Sequence, residues 1–377
     1  MKPLYKILTV IGIAIVVGVV IYFLWWLFIA EPPANVPPGN GGAPTSTSTE
    51  TNNSSSLSTP TVISDHTAFD YWLVPETGEV YYITPEGYVY AVKDGPDLEI
   101  SRQAITALNR TEPSADGRRL LVSFGNPSSP QWAIFDTVDS VWRPLAREIT
   151  NAGWGRNPNE LIATVRSGND ANLSFVDISK TPLIYMVVVR DFRMEDVIFV
   201  TSKTGDTFIL ERPSSLFENR VWKLEPSSRA LNVLFTPTQD LWIVPASTAR
   251  DSFLKFTSEQ GTSLLDSSFG GSVAFPFYTF PDKCAVNNMK LFCFVPKEGP
   301  PEHTDAILNS YLMQKTRSED VFVLGSIATS TRSIEDVSSP WGSVGETTFD
   351  ASRVRANENA VYFIDRYTDL LYRLELD

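Results

Sequence analysis

The hydrophobic and polar positions divide the chain into one long apolar run, one polar stretch and a body of short apolar groups. From about residue 61 onward, short groups of apolar and aromatic residues are separated by Gly, Pro, Asn, Asp and Ser. This pattern is typical of β-strands that are joined by turns. The 3.6-residue period of an amphipathic helix is convincing nowhere in this part. We therefore predict an all-β domain over residues 61–377.

The predicted strands of this domain occur in pairs. The seven pairs are Val80–Ile83 with Tyr88–Val92, Leu120–Phe124 with Trp132–Asp136, Leu161–Val165 with Leu173–Asp177, Phe208–Glu211 with Val221–Glu225, Leu241–Pro245 with Phe253–Phe256, Leu291–Val295 with Val321–Leu324, and Val361–Asp365 with Leu370–Leu374. A strand pair that recurs along the chain indicates a repeated structural unit.

Two of these pairs match closely in spacing. Asp136 follows Leu120 by 16 positions, Asp177 follows Leu161 by 16, and the two pairs are offset by 41. A repeat of about 40 to 45 residues that contains paired strands is typical of a four-stranded propeller blade. Blades that stack radially cover each other's faces and leave only short edges. We predict a β-propeller of about seven four-stranded blades; a pair of β-sandwiches is the alternative, which this repeat disfavours.

The number of blades and the closure of the ring stay open in the sequence. The spacing from Leu241 to Leu291 to Val361 is irregular, which leaves six or eight blades as alternatives. The chain ends on a hairpin without a fourth strand. Thr61–Asp65 is a candidate for the missing strand, and the other interpretation is that it extends the preceding polar stretch.

The long apolar run covers residues 7–30 and contains no charge. A helix of this length, at about 1.5 Å per residue, can cross a bilayer core of about 30 Å. Lys2 and Lys6 precede the run, while Trp25 and Trp26 lie near its far end, where aromatic residues meet the membrane interface. We predict a transmembrane helix that interacts with the lipid bilayer. The N-terminal residues 1–6 then face the cytoplasm, and everything after residue 30 lies extracellular or periplasmic.

A cleaved signal peptide is the main alternative to this anchor. Its apolar run should be only about 7 to 15 residues long and should end at a small-x-small site. Here the bulky sequence from Trp25 to Ile29 precedes Ala30, so the uncleaved anchor is the better interpretation.

Residues 31–60 are rich in Pro, Gly, Ser, Thr and Asn and offer almost nothing to bury. Such a segment cannot offset the entropy that ordering costs, so we predict a disordered linker. The prolines that come first should keep its beginning extended, and the Ser/Thr-rich part should be flexible.

The charge of the chain narrows the choice of partners. The formal net charge is −13, and because Lys2 and Lys6 precede the predicted anchor, the remaining residues carry −15. An acidic surface repels phosphate backbones, so we do not expect a nucleic-acid partner.

The two cysteines, Cys284 and Cys293, are predicted to form a disulfide. With a two-residue turn at Asn288-Met289, Asn287 pairs with Lys290, and the same register places the cysteines opposite each other, with Cα atoms about 4.5 Å apart. A four-residue turn would also keep them opposite, but in the wider kind of pair. An oxidising exterior favours the bond. A metal site and a redox pair are weaker alternatives, because no histidine lies near and the C-x-x-C spacing is missing.

No catalytic, cofactor or metal motif stands out. The two histidines, His66 and His303, lie at the linker edge and in a Pro-rich insertion. Neither is near an obvious Ser or Cys nucleophile in the sequence, so the sequence does not indicate a Ser-His-Asp triad. Asp136 and Asp139 are interpreted as turn formers. The segments 202–205 and 342–345 resemble phosphate loops only faintly, and we interpret both as turns. Carboxylates that come together from separate blades around the axis stay possible.

Two further groups allow a binding role next to a packing role. Five tryptophans could form a platform for a sugar or peptide, although packing between blades is the better interpretation: Trp132, Trp142, Trp154, Trp222 and Trp242. Residues 303–317 interrupt a hairpin and carry a short helical stripe at Ile307, Leu308, Tyr311 and Leu312. This helix could cap a face of the propeller, meet a partner or pack on its own blade.

Two stretches resemble known propellers. Ser114-Ala115-Asp116-Gly117-Arg118-Arg119-Leu120-Leu121-Val122 resembles the turn and strand of TolB-type and WD-repeat-like propellers, although the WD dipeptide is absent. The anchor, the linker, Lys283-Cys284-Ala285-Val286 and Leu291-Phe292-Cys293-Phe294-Val295-Pro296 together are similar to membrane-anchored propellers of poorly characterised small-genome bacteria. The resemblance implies an architecture and carries no activity over to this chain.

Three functions fit this organisation. The first is a binding or scaffold module displayed at the cell surface or in the envelope, with a protein or polymer partner at a propeller face. The alternative is a propeller enzyme, similar to a glycoside hydrolase or a lyase, with an acidic site on the axis. The third is a structural subunit of an envelope assembly. The missing catalytic motifs favour the first.

Overall fold

The computed structural model describes residues 59–247, 249–299, 307–328, 333–338 and 348–376. They form seven antiparallel sheets of four strands each. Strand β1 is Thr61–Val62, and blade 1 consists of β2 (Asp70–Leu73), β3 (Val80–Ile83), β4 (Val89–Ala91) and β5 (Leu98–Glu99). Blade 2 consists of β6 (Leu108–Pro113), β7 (Arg119–Phe124), β8 (Gln131–Asp136) and β9 (Val141–Pro144). Blade 3 consists of β10 (Ile149–Trp154), β11 (Glu160–Ser167), β12 (Asp170–Asp177) and β13 (Ile184–Val189).

The remaining four blades complete the ring. Blade 4 consists of β14 (Val197–Thr201), β15 (Thr207–Glu211), β16 (Val221–Glu225) and β17 (Ala230–Val233). Blade 5 consists of β18 (Trp242–Pro245), β19 (Ser252–Thr257), β20 (Gly261–Asp266) and β21 (Val273–Ala274). Blade 6 follows a 3₁₀-helix (Pro281–Lys283) and consists of β22 (Cys284–Asn287), β23 (Lys290–Pro296), β24 (Asp320–Ala328) and β25 (Ser333–Ser338). Helix α1 (Ile307–Leu312) lies between β23 and β24. Blade 7 combines β26 (Ala351–Ala356), β27 (Ala360–Asp365) and β28 (Leu370–Glu375) with β1.

The predicted all-β propeller with four strands per blade is thus confirmed, with seven blades. The predicted anchor (residues 7–30) and nearly all of the predicted linker lie outside the described residues. Within the described ranges, the structure contains no helix with the length and apolar character that a membrane span requires.

Strand β1 closes the ring, as one of the two interpretations of Thr61–Asp65 predicts. It pairs antiparallel with β28, with Thr61 opposite Arg373 and Val62 opposite Tyr372. Past the end of the strand, the Ile63 amide donates to the Leu371 carbonyl at 2.9 Å. The first described strand therefore supplies the outermost strand of the last blade.

Hydrophobic clusters between consecutive blades hold the ring together. In β7, Leu120 and Val122 point into the cluster shared with blade 1, while Leu121 points into the cluster shared with blade 3. This alternation is the period of two that a strand imposes on its side chains. Because both faces of a middle strand are covered, its sequence is a continuous apolar run rather than an alternating one. Seven such clusters connect each blade with the next, including blade 7 with blade 1.

Six of the seven predicted strand pairs correspond to the two middle strands of a blade. The fifth pair, Leu241–Pro245 with Phe253–Phe256, is also a pair of hydrogen-bonded strands, but these are the first and second strands of the blade, β18 and β19. The third strand of blade 5, β20, begins with the polar sequence Gly-Thr-Ser, so it stands out less in the sequence than β18 does. The spacing around blade 5 is irregular because this pair begins at a first strand whereas the others begin at a second strand, and the insertion that contains α1 accounts for the irregularity in blade 6.

The turn between β6 and β7 explains why its sequence motif is so distinct. Gly117 adopts a φ of +68°, and a Cβ at this position would lie 2.6 Å from the carbonyl oxygen of Leu73. The Ser114 hydroxyl donates to the Asp116 carboxylate at 2.5 Å, and the indole of Trp72 donates to the Gly117 carbonyl at 2.9 Å. The turn needs glycine for its conformation and for its close approach to blade 1.

Candidate functional site on the helix-capped face

Helix α1 lies at the end of the ring where the second strand of each blade connects to the third and where one blade connects to the next. We call this end the helix-capped face. Leu308 and Tyr311 of the helix are buried in one apolar cluster with Phe256 and Phe280. The rings of Tyr311 and Phe280 are stacked with centroids 3.9 Å apart. Because Phe256 belongs to blade 5, this cluster attaches the insertion of blade 6 to the neighbouring blade.

Hydrogen bonds connect helix α1 to two further blades. The Asn309 amide donates to the Ser215 hydroxyl at 3.3 Å, and the Ser215 amide donates to the Asn309 side chain at 3.2 Å, which connects α1 to blade 4. On the other side, the Arg366 guanidinium from blade 7 donates to the Tyr311 carbonyl at 3.2 Å and lies 4.3 Å from its ring centroid. The helix therefore caps a face of the propeller rather than packing on its own blade alone.

A buried ion network lies next to the capping helix. Lys283, which ends the 3₁₀-helix, is completely buried and donates to Asp320 at 2.5 Å and to Asp350 at 2.6 Å. It also donates to the Ser318 hydroxyl at 3.1 Å. Arg366 approaches the second oxygen of Asp350 at 3.1 Å. Every ionised group in this network has a partner of opposite charge, which buried charges require.

Burial shifts the pKa values of the acidic groups around this network. Burial raises the pKa of Asp282 to about 6, although the hydroxyl of Tyr311, which donates to it at 2.8 Å, and the charge of Lys283 both act against the rise. Burial likewise raises the pKa of Asp320, against the opposing effect of Lys283. The pKa of Tyr311 is raised well above its ordinary value, first by burial and then by the Asp282 charge. Asp282 is the group here whose protonation changes close to neutral pH.

The charged residues of this network were not identified from the sequence. They are Lys283, Asp320, Asp350, Arg366 and their neighbour Asp282. All of them lie at strand ends on the helix-capped face: just before β22, at the start of β24, just before β26 and just after β27. Charged residues at equivalent ends of otherwise apolar strands are the signal that points to such a network.

Large apolar side chains surround the capping helix without being buried. Leu216 and Phe217, next to Ser215, are 66% and 72% exposed. Met313, just after α1, is 63% exposed, and Tyr367, next to Arg366, is 50% exposed. Leu312 at the end of the helix is 39% exposed. We call these five residues the apolar rim. Exposed apolar side chains on a rigid, bonded framework are typical of an interaction surface.

Several ion pairs involve residues of the first strands of the blades, which line the axis of the ring. Asp70 is buried and accepts from Arg353 at 2.8 Å and from Arg355 at 3.1 Å. The pKa of Asp70 is lowered; burial raises it, but the two arginines and the Thr111 hydroxyl outweigh this effect. The carboxylate of Asp70 is thus held ionised by its partners.

Glu112 connects two blades that are not adjacent. It accepts from Arg110 of its own strand at 2.8 Å and from Arg250 of blade 5 at 3.1 Å. Arg250 comes from the turn between β18 and β19, at the end of the ring opposite the helix-capped face, and also donates to the Pro113 carbonyl at 3.0 Å. Burial lowers the pKa of Arg110, against the opposing effect of Glu112. The described part of the axis therefore contains carboxylates that are already bonded to arginines.

The predicted disulfide is present. Cys284 and Cys293 are bonded, with Cα atoms 4.2 Å apart, and they face each other across β22 and β23. Of the two turns considered, the structure has the two-residue one, with Asn287 opposite Lys290 and positive φ at Asn288 and Met289. Both cysteines are buried in the cluster that joins blades 5 and 6. The buried position of the disulfide in this cluster fits a structural role.

The tryptophans predicted as a possible platform take the packing role. Trp132, Trp154 and Trp222 are buried, and the two others lie partly buried against the clusters. His66 is exposed and contacts the ring of Tyr90 with centroids 4.7 Å apart. His303, the glycine-containing segment 342–345, and the interfacial Trp25 and Trp26 lie outside the described residues.

The predicted turn residues have turn geometry. The carboxylate of Asp136 accepts from the amides of Val138 and Asp139 and pairs with Arg119 at 3.0 Å. The segment 202–205 is the turn between β14 and β15, with Gly205 at a φ of +86°. Among the described residues, no cluster of three or more His, Cys, Asp or Glu has an arrangement that could hold a metal ion.

Comparison with known proteins supports the fold alone. No protein-family model matches the chain, and no curated protein matches it. Among solved structures, the β-propeller domain of Cps50 (Swd1) from Myceliophteria thermophila is similar with a TM-score of 0.51 and 9% identity over 85% of this chain and 100% of that one. A chain of a mitotic checkpoint complex is similar with a TM-score of 0.50 and 11% identity over 91% and 99%. The chain therefore has a seven-bladed, WD40-like propeller fold.

Proposed function

We propose that this chain is a membrane-anchored binding module that captures a protein partner on the helix-capped face of its propeller. The apolar rim around α1 is the observation that carries the proposal. A monomeric soluble surface seldom keeps several large apolar side chains exposed around one element without a binding role. The rim is fixed in place, since Asn309 and Tyr311 tie the helix to blades 4 and 7.

The charges beside the rim suggest the chemistry of the partner. Lys315 and Arg317 follow α1 and are exposed, in a chain whose net charge is −13. Arg317 lies 6.0 Å from the ring centroid of Tyr367, so it belongs to the same surface. A partner segment with apolar anchor residues and nearby carboxylates complements this arrangement, because apolar anchors provide affinity and opposite charges provide orientation.

The membrane part of the proposal is supported by the sequence. The charge-free run at 7–30, the preceding Lys2 and Lys6, and the aromatic pair Trp25 and Trp26 are typical of an anchor with a cytoplasmic N-terminus. A linker at 31–60 would give the propeller reach beyond the bilayer. Protease added to intact cells is expected to degrade the propeller. A propeller that is cut only after the cells are broken would contradict the proposed orientation.

The binding face is tested by capturing partners with the full chain in detergent. Phe217→Ser and Met313→Ser should each reduce recovery of the partner about tenfold or more, because truncating a central anchor typically costs 1 to 4 kcal/mol. Val138→Ser is the matched control, since Val138 is 73% exposed on the connection between β8 and β9, at the opposite end of the ring. Equal capture by all three variants would refute a binding role for the apolar rim.

A propeller enzyme with an axial acidic site is the alternative, and one observation favours it. Asp282, the neighbour of Lys283 in the chain, has a pKa of about 6, which is a suitable value for a general acid. The ion pairs of the site argue against an enzyme, because the buried Lys283 already pairs with the carboxylates of both Asp320 and Asp350. A glycoside or acidic polysaccharide that the chain degrades, and that Asp282→Asn does not, would favour this alternative over the binding module.

A further inference from the structure

Solvent reaches the axis of the ring along two of the first strands. All six residues of β6 in blade 2 are half-buried, and so are Ser352, Arg353 and Arg355 of β26 in blade 7. In β2 of blade 1, which lies between these two blades, all four residues are buried. Neighbouring blades cover the faces of a first strand and the second strand covers one edge, so the remaining exposure is towards the axis. Blades 7, 1 and 2 therefore form an accessible side of the axis.

Two carboxylates on this side of the axis are each shared by two arginines. The pairs are Asp70 with Arg353 and Arg355, and Glu112 with Arg110 and Arg250. These six side chains are only between 4% and 37% exposed. Four positive charges against two negative charges leave an excess of two, in a chain whose net charge is −13. Charges that are shielded from water need partners of opposite sign, so this excess favours an anion as a further partner.

The arginines also have more donors than their carboxylates can accept from. The pKa of Arg110 is lowered, chiefly by burial; Glu112 opposes this effect, and the like charges of Arg212 and Arg250 add to it. The Nη1 atom of Arg355 is buried and has no hydrogen-bond partner among the residues that the structure describes. A guanidinium group offers five N–H donors, and one carboxylate cannot satisfy the donors of two such groups. The site therefore has unused donors as well as an excess of positive charge.

We propose that this side of the axis binds a small soluble oxyanion, whose carboxylate or phosphoryl oxygens accept from Arg353, Arg355 and Arg110. We call these three residues the axial arginine site. The planar fork of a guanidinium group matches the oxygens of both kinds of anion. Because the site is partly shielded from water, the attraction between the charges is stronger than on an open surface.

The anion enters from the helix-capped face. Arg250 of blade 5 crosses the axis to Glu112 and to the Pro113 carbonyl of blade 2, and these contacts obstruct the opposite end. Arg353 is the most exposed of the four arginines. One acidic group opposes binding from blade 6, because the raised pKa of Asp282, which burial causes, is partly offset by the charge of Arg353. An ionised Asp282 therefore lowers the excess of positive charge from two to one.

Equilibrium dialysis of the full chain in detergent tests this site. The probes are radiolabelled inorganic phosphate and radiolabelled succinate, each at about pH 7.5, where both carry close to two negative charges, and at constant ionic strength set with sodium chloride. Saturable binding of one anion per chain is expected for at least one probe, and the tighter one identifies the site as phosphoryl-binding or carboxylate-binding. Absence of saturable binding of both probes would overturn the proposal.

Variants then locate the bound anion. Arg353→Gln should weaken binding at least about tenfold, since it removes charged hydrogen bonds. Arg118→Gln is the matched control, because Arg118 also pairs with one carboxylate, Glu76 at 2.8 Å, but lies on the β6–β7 turn at the opposite end of the ring. Equal binding by these two variants would overturn the assignment to the axis.

A gain of affinity separates the axial arginine site from a general loss of structure. Asp282→Asn removes the opposing charge and should tighten binding at least about twofold, whereas a damaged chain would bind more weakly. Unchanged or weaker binding by Asp282→Asn would place the anion elsewhere. The inference is independent of the proposed partner site, so Phe217→Ser in the apolar rim should bind the anion as the natural chain does.

Discussion

Replacement of Asp282 by asparagine is expected to stabilise the propeller at neutral pH. The pKa of Asp282 rises from its ordinary 3.8 to about 6, chiefly through burial. At about 1.4 kcal/mol per pH unit, this difference sets an upper value of about 3 kcal/mol for the cost of the ionised carboxylate. Because the side chain is only partly buried, solvent screening lowers the expected effect to about 1 to 2 kcal/mol. Asparagine keeps an oxygen that can accept from Tyr311 and removes the charge.

The pH at which Asp282→Asn stabilises the chain follows from the direction of the pKa shift. The folded chain binds the Asp282 proton more tightly than the unfolded chain, so the cost is absent below about pH 4 and complete above about pH 6. Urea unfolding, followed by tryptophan fluorescence at about pH 4, 6 and 7.5, should show Asp282→Asn gaining over the natural chain only at the higher values. Asp94→Asn, at an exposed position, is the control for loss of one charge. A difference that does not change with pH, or a variant that is less stable throughout, would refute the reasoning.

Three further predictions concern stability. Lys283→Met should lower the free energy of unfolding by about 3 to 5 kcal/mol, because it leaves the buried carboxylate of Asp320 without its cation and that of Asp350 with Arg366 alone, and a chemical denaturation curve measures this loss. Replacing Cys284 and Cys293 by alanine should cost about 2 to 3 kcal/mol, which is the effect of a short disulfide loop, and reductant should lower the melting temperature of the natural chain but not of the variant. Gly117→Ala should be destabilised more than Gly168→Ala, since both have positive φ but only the first places its Cβ against backbone, at 2.6 Å; similar melting temperatures would contradict this.

The fold could be predicted because its signals are local. Each middle strand is covered on both faces, which produces apolar runs such as Leu120–Val122 that stand out from the polar turns. The disulfide was equally local, since a two-residue turn fixes the register from Asn287 to Cys293. In blade 5 the predicted pair consists of the first and second strands, because the third strand, β20, is less apolar than β18.

The candidate site could not be predicted, because its parts are far apart in the chain. Lys283 meets Asp350 across 67 positions, and Asn309 meets Ser215 across 94. Such pairs form only after the blades have closed into a ring, and no spacing rule in a single sequence predicts which residues will meet. The apolar rim has the same origin, since Phe217 and Met313 are ordinary loop residues until α1 is laid across the blades.

The closure of blade 7 determines where tension would act on this molecule. Strand β1 contributes only Thr61 and Val62 to the seam of the ring, and it is the first described strand after the proposed linker. A pull on the chain before Thr61 would peel this strand from β28 before it loaded any of the longer strands, so the seam would be the mechanical weak point. A propeller closed in this way would give way first at blade 7 while its other six sheets stay intact.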